Sequence, residues 1–489
     1  MLDRRILRAG KSRLGNELGL IVRLRFWLAL LLAGMLPVMA QPASAPVLDA
    51  AQARQVREML THAGDDGLDP RDYAGMDAVD ALSRYLRDLR AGRAALRALD
   101  ADVLLPRDDF DVQAVLAAAL RRDALAGLVW HSAPPHPDYA ALKAALARYR
   151  AIAAAGGWAQ LSAADVAKPR LLRQRLAFED DTAARRDVTL ADAVRRFQAR
   201  HGLAEDGKVG PKTLAELNVP AAARAQTLAA NMERWRWMPR GLEKDRIEIN
   251  VPEAQLRLWL DGRLVLASRV VVGRPGNPTP ILRAEAASVT LNPPWNIPAS
   301  IAAAEILPRL KRNSAWLARN DMVLTDGPPG DPQGLRVKWR GIPAGTFPFH
   351  IRQYPGPRNP LGRIKLELPN RFEVYLHDTP DKAAFARPGR ALSHGCVRVE
   401  QILPLASYAV TGDALAADGI VQAIASGETR NLPLRKTLPV YFLYWTAFAG
   451  PDGVVQFRPD LYGRDRRLIA AMMGDAPVAL AAVAGCAKG

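Results

Sequence analysis

Residues 245–273 read DRIEINVPEAQLRLWLDGRLVLASRVVVG. Ile247, Ile249 and Val251 alternate with polar neighbours, and Leu256, Leu258 and Leu260 follow at the same spacing. Asp261-Gly262 then leads into Arg263–Gly273 with its closing valine run. A period of two sorts side chains onto the two faces of a strand, and Asp-Gly accepts the positive φ of a tight hairpin turn. The stretch therefore predicts a hairpin and opens a β-rich region that runs to about residue 465. Further strands are predicted at Arg371–His377, Leu438–Tyr444 and Val454–Phe457, with a helical segment over 400–424. Between Pro298 and Trp339 the apolar spacing turns helical. This predicts a helical insertion over about 298–345, either a lid over a site or a decoration between strands.

Upstream the period is helical. From Ala50 to Glu179 the chain is rich in Ala, Leu and Arg, with breaks at Gly67-Leu68-Asp69-Pro70 and Pro134-Pro135-His136-Pro137. A mostly helical domain is predicted over 41–187; its scattered His62, His131 and His136 point to no chemistry. Within 188–220, Leu190, Val194 and Phe197 share one helical face and Gly202 can stop that helix. Gly210-Pro211 then opens a second helix carrying Leu214 and Leu217. A linker helix is expected over 221–244 and a tail over 466–489. The fold class expected is multidomain α+β.

Composition narrows the function. The chain has 489 residues, 67 Lys+Arg against 50 Asp+Glu, a net charge of +17, and two cysteines, Cys396 and Cys486. Two cysteines exclude a disulfide framework and a zinc site of several thiolates. Seven basic residues among the first 25 oppose Asp3 and Glu17, giving +5, and an apolar run from Phe26 to Ala40 follows. That is the pattern of an export signal over 1–40, cleaved or kept as an anchor, and it predicts that the rest of the chain is exported. The remaining +12 suits an anionic polymer outside the cytoplasm rather than nucleic acid.

Cys396 sits in Ser393-His394-Gly395-Cys396-Val397-Arg398, nineteen residues after His377. An imidazole that takes a thiol's proton makes it a nucleophile, and Gly395 permits the backbone angles of a tight loop. In the predicted strand Phe372, Val374 and Leu376 share one face, while Tyr375 and His377 share the other. From spacing alone two readings stand, a Cys/His catalytic pair or a buried thiol beside a structural histidine. One Cys and two His lack the spacing of a metal site.

The stretch YLHDTPDKAAFARPGRALSHGCVRVE (375–400) resembles the active-site signature of the L,D-transpeptidase family, whose catalytic domain is called YkuD-like. Supporting matches are VVVGRPGNPTP (270–280), LNPPWNIPASI (291–301), PGPRNPLGRIKLELPN (355–370) and VQFRPDLYGRD (455–465); Leu392 stands where an aromatic is expected. Residues 194–218 resemble a peptidoglycan-binding domain, and the domain order resembles the family's large scaffold-containing branch. The module either binds wall polymer or spaces its neighbours.

The resemblance implies Cys396 as nucleophile and His377 as base, with His394 and Gly395 shaping the loop and oxyanion site and Ser393 and Arg398 flanking it. Arg398 would support the loop or pair with a substrate carboxylate, and Tyr375 would line the site or donate to the oxyanion. The implied enzyme joins peptidoglycan stem peptides 3→3 through a cysteinyl thioester, without metal or cofactor, and is acylated by carbapenem-type inhibitors. An L,D-carboxypeptidase or endopeptidase on the same site, or a non-catalytic wall-binding scaffold, are the alternatives.

Overall fold

The computed structural model describes residues 47–474 except 107, 186, 414, 415 and 451. The expected export signal and Cys486 lie outside the described residues.

The predicted hairpin forms. Gln255–Leu260 pairs antiparallel with Arg263–Gly273 across Asp261 and Gly262, which take φ of +49° and +74°. Arg246–Asn250 pairs antiparallel with Gln255–Leu260, and Ile247, Ile249, Leu256 and Leu258 are fully buried. Alternation thus sends one face of this meander into the core, as the sequence pattern requires.

Among the described residues the main sheet has ten strands. From Ile281–Leu291 it passes through Arg430–Leu443, Arg246–Asn250, Gln255–Leu260, Arg263–Gly273, Val397–Val399 and Leu376–His377 to Ile364–Glu367. Ile364–Glu367 pairs back onto Ile281–Leu291, so these eight strands close into a barrel. Closure leaves no long unpaired edge and rigidly seats the strand ends that carry the site. Val103–Leu104 and Ala391–Ser393 join it from outside the ring.

Four expectations change. The strand expected over Arg371–His377 is reduced to Leu376–His377. Upstream of it, the Asn370 side chain accepts from the N–H groups of Phe372 and Val374 and donates to the carbonyls of Leu368 and Val374. Such local bonding competes with a ladder and folds a turn, in which Glu373 takes a φ of +51°. The insertion expected to be helical over 298–345 is a mixed unit with its own core, including Ile306, Leu310, Leu317 and Trp339. A three-stranded sheet holds it, with Met322–Leu324 inside the expected bounds and Trp295–Ile297 and Ile351–Gln353 beyond them. Strands of three residues are too short to show a period.

The helix expected as a linker, Ala221–Arg236, is central. Twelve of its 16 residues are buried, and it packs on Pro137–Ala154 of the helical region. Its charges pair inside: Arg236 with Glu233 at 2.9 Å and Arg234 with Asp465 at 2.5 Å. The expected tail begins inside a helix, Arg464–Met472, whose Arg464 grips Asp102 with bonds of 2.9 and 2.5 Å.

The helical hairpin of Leu190–Arg200 and Pro211–Leu217 forms around Val194, Phe197 and Leu217, and Leu172 and Leu176 of the preceding helix share its core. Segment 400–424 holds helices Ile402–Thr411 and Asp418–Ala425.

Candidate active site

Two short parallel strands carry the central pair. Leu376 is in register with Val397 and His377 with Arg398, and the Val397 N–H donates to the Tyr375 carbonyl at 3.1 Å. Leu376 and Val397 point together into the core, both fully buried. The alternation then places His377 and Arg398 on the opposite face, and Cys396 directly precedes the Val397–Val399 strand that pairs with Leu376–His377. The side-by-side placement of Tyr375 and His377 holds, with rings edge-to-face at 5.6 Å, although Tyr375 precedes the strand.

His377 is buried, and its Nδ1 lies 2.6 Å from the Asp378 carbonyl. A carbonyl can only accept, so Nδ1 carries the proton and Nε2 keeps its lone pair. Burial foremost, and then the Arg398 charge, push the imidazole down to about pH 3 in its titration, so it is neutral near pH 7. The Asp378 carbonyl is itself held. Asp378 accepts from the Arg363 N–H at 2.9 Å, pairs with Lys382, and donates its own N–H to Ile364 at 2.9 Å. Gly362, at φ +63°, leaves the space a Cβ would take from the Asp378 side chain.

Cys396 is buried, 8 % exposed, and its thiol lies 3.8 Å from the carbonyl of Glu373, the residue held at positive φ. The loop before it is tied from within. Ser393 Oγ donates to the Cys396 carbonyl at 2.6 Å and accepts from the Gly395 N–H at 3.1 Å. The Gly395 amide is therefore engaged inside the loop. Gly395 serves the loop by its φ of +118°.

Outer supports were not recognisable as such. Thr279 Oγ1 donates to the Gly395 carbonyl at 2.7 Å and accepts from the Gly273 N–H at 2.9 Å, and the Tyr462 hydroxyl donates to the Gly273 carbonyl at 2.6 Å. Both residues lie within stretches the sequence comparison marked, 270–280 and 455–465, but a lone Thr or Tyr there carries no signal of its role.

His394 turns toward the insertion. Its Nε2 lies 2.9 Å from Arg274 and 2.8 Å from Glu305, which belongs to the π-helical turn Ala302–Ile306. The insertion thus reaches the loop that carries the thiol. Arg398 has a buried Nε with no acceptor among the described residues. Lys365 Nζ sits 4.2 Å from the centre of the Tyr375 ring. No group of three or more His, Cys, Asp and Glu able to hold a metal occurs among the described residues.

A buried thiol, a neutral imidazole with a fixed tautomer and a bonded glycine loop form the set needed for acyl transfer through a thioester. Comparison with known proteins finds three family models along the chain. Residues 244–421 match the family model of the L,D-transpeptidase catalytic domain, 46–146 that of the Scaffold domain, and 171–217 that described as "Putative peptidoglycan binding domain". The last match begins ahead of the expected residue 188. A Haemophilus influenzae protein named "Putative L,D-transpeptidase" is 34% identical over 243 residues, 50% of this chain and 49% of the relative. The chain therefore spans about half the length of that curated relative.

Among solved structures, L,D-transpeptidase 1 of Mycobacterium tuberculosis aligns at 11% identity and a TM-score of 0.16, over 41% of this chain and 61% of the other. An Enterococcus faecium L,D-transpeptidase aligns at 11% and 0.17, over 46% and 65%. At those scores neither carries an argument here.

Proposed function

The chain carries an L,D-transpeptidase catalytic domain beside a scaffold domain and a match to a peptidoglycan-binding domain, and we propose that it joins peptidoglycan stem peptides 3→3 in the periplasm. The observation that supports this most is the pairing of the Leu376–His377 strand with Val397–Val399, the strand that Cys396 directly precedes, together with a His377 whose proton is on Nδ1 so that Nε2 keeps its lone pair.

In the proposed reaction His377 Nε2 takes the Cys396 proton as the sulfur attacks the carbonyl of the third residue, diaminopimelate, of a donor tetrapeptide. The C–N bond to the terminal D-alanine breaks, His377 returns the proton to that amine, and a thioester remains. The side-chain amine of diaminopimelate on a neighbouring stem then attacks the thioester. Its proton passes through His377 to the departing thiolate, and a new amide is formed. With the Gly395 amide engaged by Ser393, Tyr375 is the side chain proposed to face the developing oxyanion, and Arg398 the one to meet a donor carboxylate. The insertion, held to His394 through Glu305, would cover the thioester and favour amine over water.

Covalent labelling tests the nucleophile. A carbapenem should add its mass once to the wild-type protein and not at all to the Cys396→Ala variant. Labelling retained in that variant would place the nucleophile elsewhere.

A further inference from the structure

A cleft of about 460 Å³ lies between the helical hairpin module and the barrel, apart from the thiol. Its walls are Ala199–Glu205 of the module, Pro252–Gln255, the loop Phe385–Ala391 that leads to the Ser393–Cys396 turn, and Arg458–Leu461. The module is pinned across it. The Arg458 guanidinium donates to the Arg200 carbonyl at 2.9 Å, passing Gly202, where a Cβ would fall 2.7 Å from Arg458 Cδ.

The charge of the cleft is unbalanced. Four arginines line it, Arg269, Arg387, Arg390 and Arg458, against Glu205 and Glu253. Glu253 is held by both guanidinium nitrogens of Arg257, at 2.8 and 2.7 Å, and Arg269 is matched by Glu400 at 2.5 Å. That leaves Arg387, Arg390 and Arg458 facing Glu205, with Glu253 no nearer than 3.8 Å to Arg458. Arg390 is half-buried and bonds only to carbonyl oxygens, those of Val270, Glu253, Ala254 and Arg387. Carbonyls orient a guanidinium but do not neutralise it, and burial together with Arg269 lowers its proton affinity. A cleft with a surplus of fixed cations and room for several residues is complementary to an anion-bearing chain.

We propose that this cleft is a second binding site, taking the carboxylates of stem peptides that neighbour the stem at Cys396. It rests on the wall-polymer reading above and deepens it. The module and the barrel grip the polymer jointly, so the polymer held by the module is presented to the loop that ends in the nucleophile.

The test is co-sedimentation of the full chain with purified peptidoglycan sacculi at low and high salt. Arg387 is exposed and its side chain carries no bond that the fold relies on, so Arg387→Glu reverses one charge at the rim. It should weaken binding at low salt by about threefold to tenfold, an effect that fades at high salt. Glu205→Gln should strengthen binding in the same assay. Amidating the sacculus carboxyls should weaken wild-type binding and erase the difference between wild type and Arg387→Glu. Equal binding of wild type and Arg387→Glu to native sacculi, or indifference to amidation, would overturn the proposal. Wild-type turnover of soluble tetrapeptide muropeptides separates the two claims. Its absence sinks the transpeptidase reading, whereas turnover with charge-indifferent sacculus binding sinks the cleft alone.

Discussion

His377 rests with a single proton, on Nδ1, which leaves the Nε2 lone pair to take the proton of Cys396 only during attack. Its Nδ1–H is committed to the Asp378 carbonyl, and burial, with Arg398 near, keeps the ring neutral down to about pH 3. Two consequences follow from the sign of that shift. Catalysis should not lose its base as the pH falls through 6.5, the ordinary value for imidazole. Stability should fall, because between pH 6.5 and about 3 the unfolded chain binds a proton that the folded chain excludes. His377→Gln removes that proton uptake. The stability of wild type relative to this variant should therefore decline as urea unfolding is repeated from pH 7 down to pH 4. A difference independent of pH would show that His377 titrates normally in the folded protein.

At the level of elements, the nucleophile turn depends on a brace that reaches it from a distant strand end. Thr279 stands 116 residues before Gly395, yet its hydroxyl ties the Gly395 carbonyl to the Gly273 amide. Thr279→Val keeps the shape and strands two buried polar groups. It should cost about 1–3 kcal/mol in unfolding free energy and slow carbapenem acylation of Cys396. An unchanged acylation rate would mean that the turn holds itself through Ser393 alone.

This brace also shows where sequence reasoning stops. Cys396 and His377 stood out because a thiol, a glycine and two histidines occur in one short window, although spacing alone left a buried structural pair as the other reading. The hairpin at 245–273 was legible because alternation and Asp-Gly are local signals. Thr279 and Tyr462 act through closure of the barrel, which no local pattern encodes. The strand at Arg371–His377 failed for a local reason of another kind, since the Asn370 side chain takes amides that a ladder would use.

Over the whole molecule, the described parts interlock more than a row of domains joined by linkers. Val103–Leu104 from the helical region adds to the barrel sheet, and one hydrophobic core runs from Tyr139 and Leu146 through Trp235 to the barrel interior. Arg234 and Arg236 of Ala221–Arg236 and Arg464 and Arg467 of Arg464–Met472 pair with carboxylates inside the protein. Arg464 is almost wholly buried between Asp102 and Asp100, which join the helical region to the last helix. Removing one partner leaves a buried cation incompletely matched, so Asp102→Ala should lower the unfolding free energy by about 3 kcal/mol. If the two regions were independent, the same change would leave the unfolding midpoint of the barrel, followed by its own tryptophans, where it was.

The central claim is that Cys396 transfers a stem peptide to an amine. Mass analysis of products after incubating purified tetrapeptide muropeptides with the protein tests it most directly. The account predicts dimers that have lost one D-alanine, formed by wild type and absent with Cys396→Ala. Trimmed monomers alone would show hydrolysis on the same thiol, and dimers formed by Cys396→Ala would contradict the account outright.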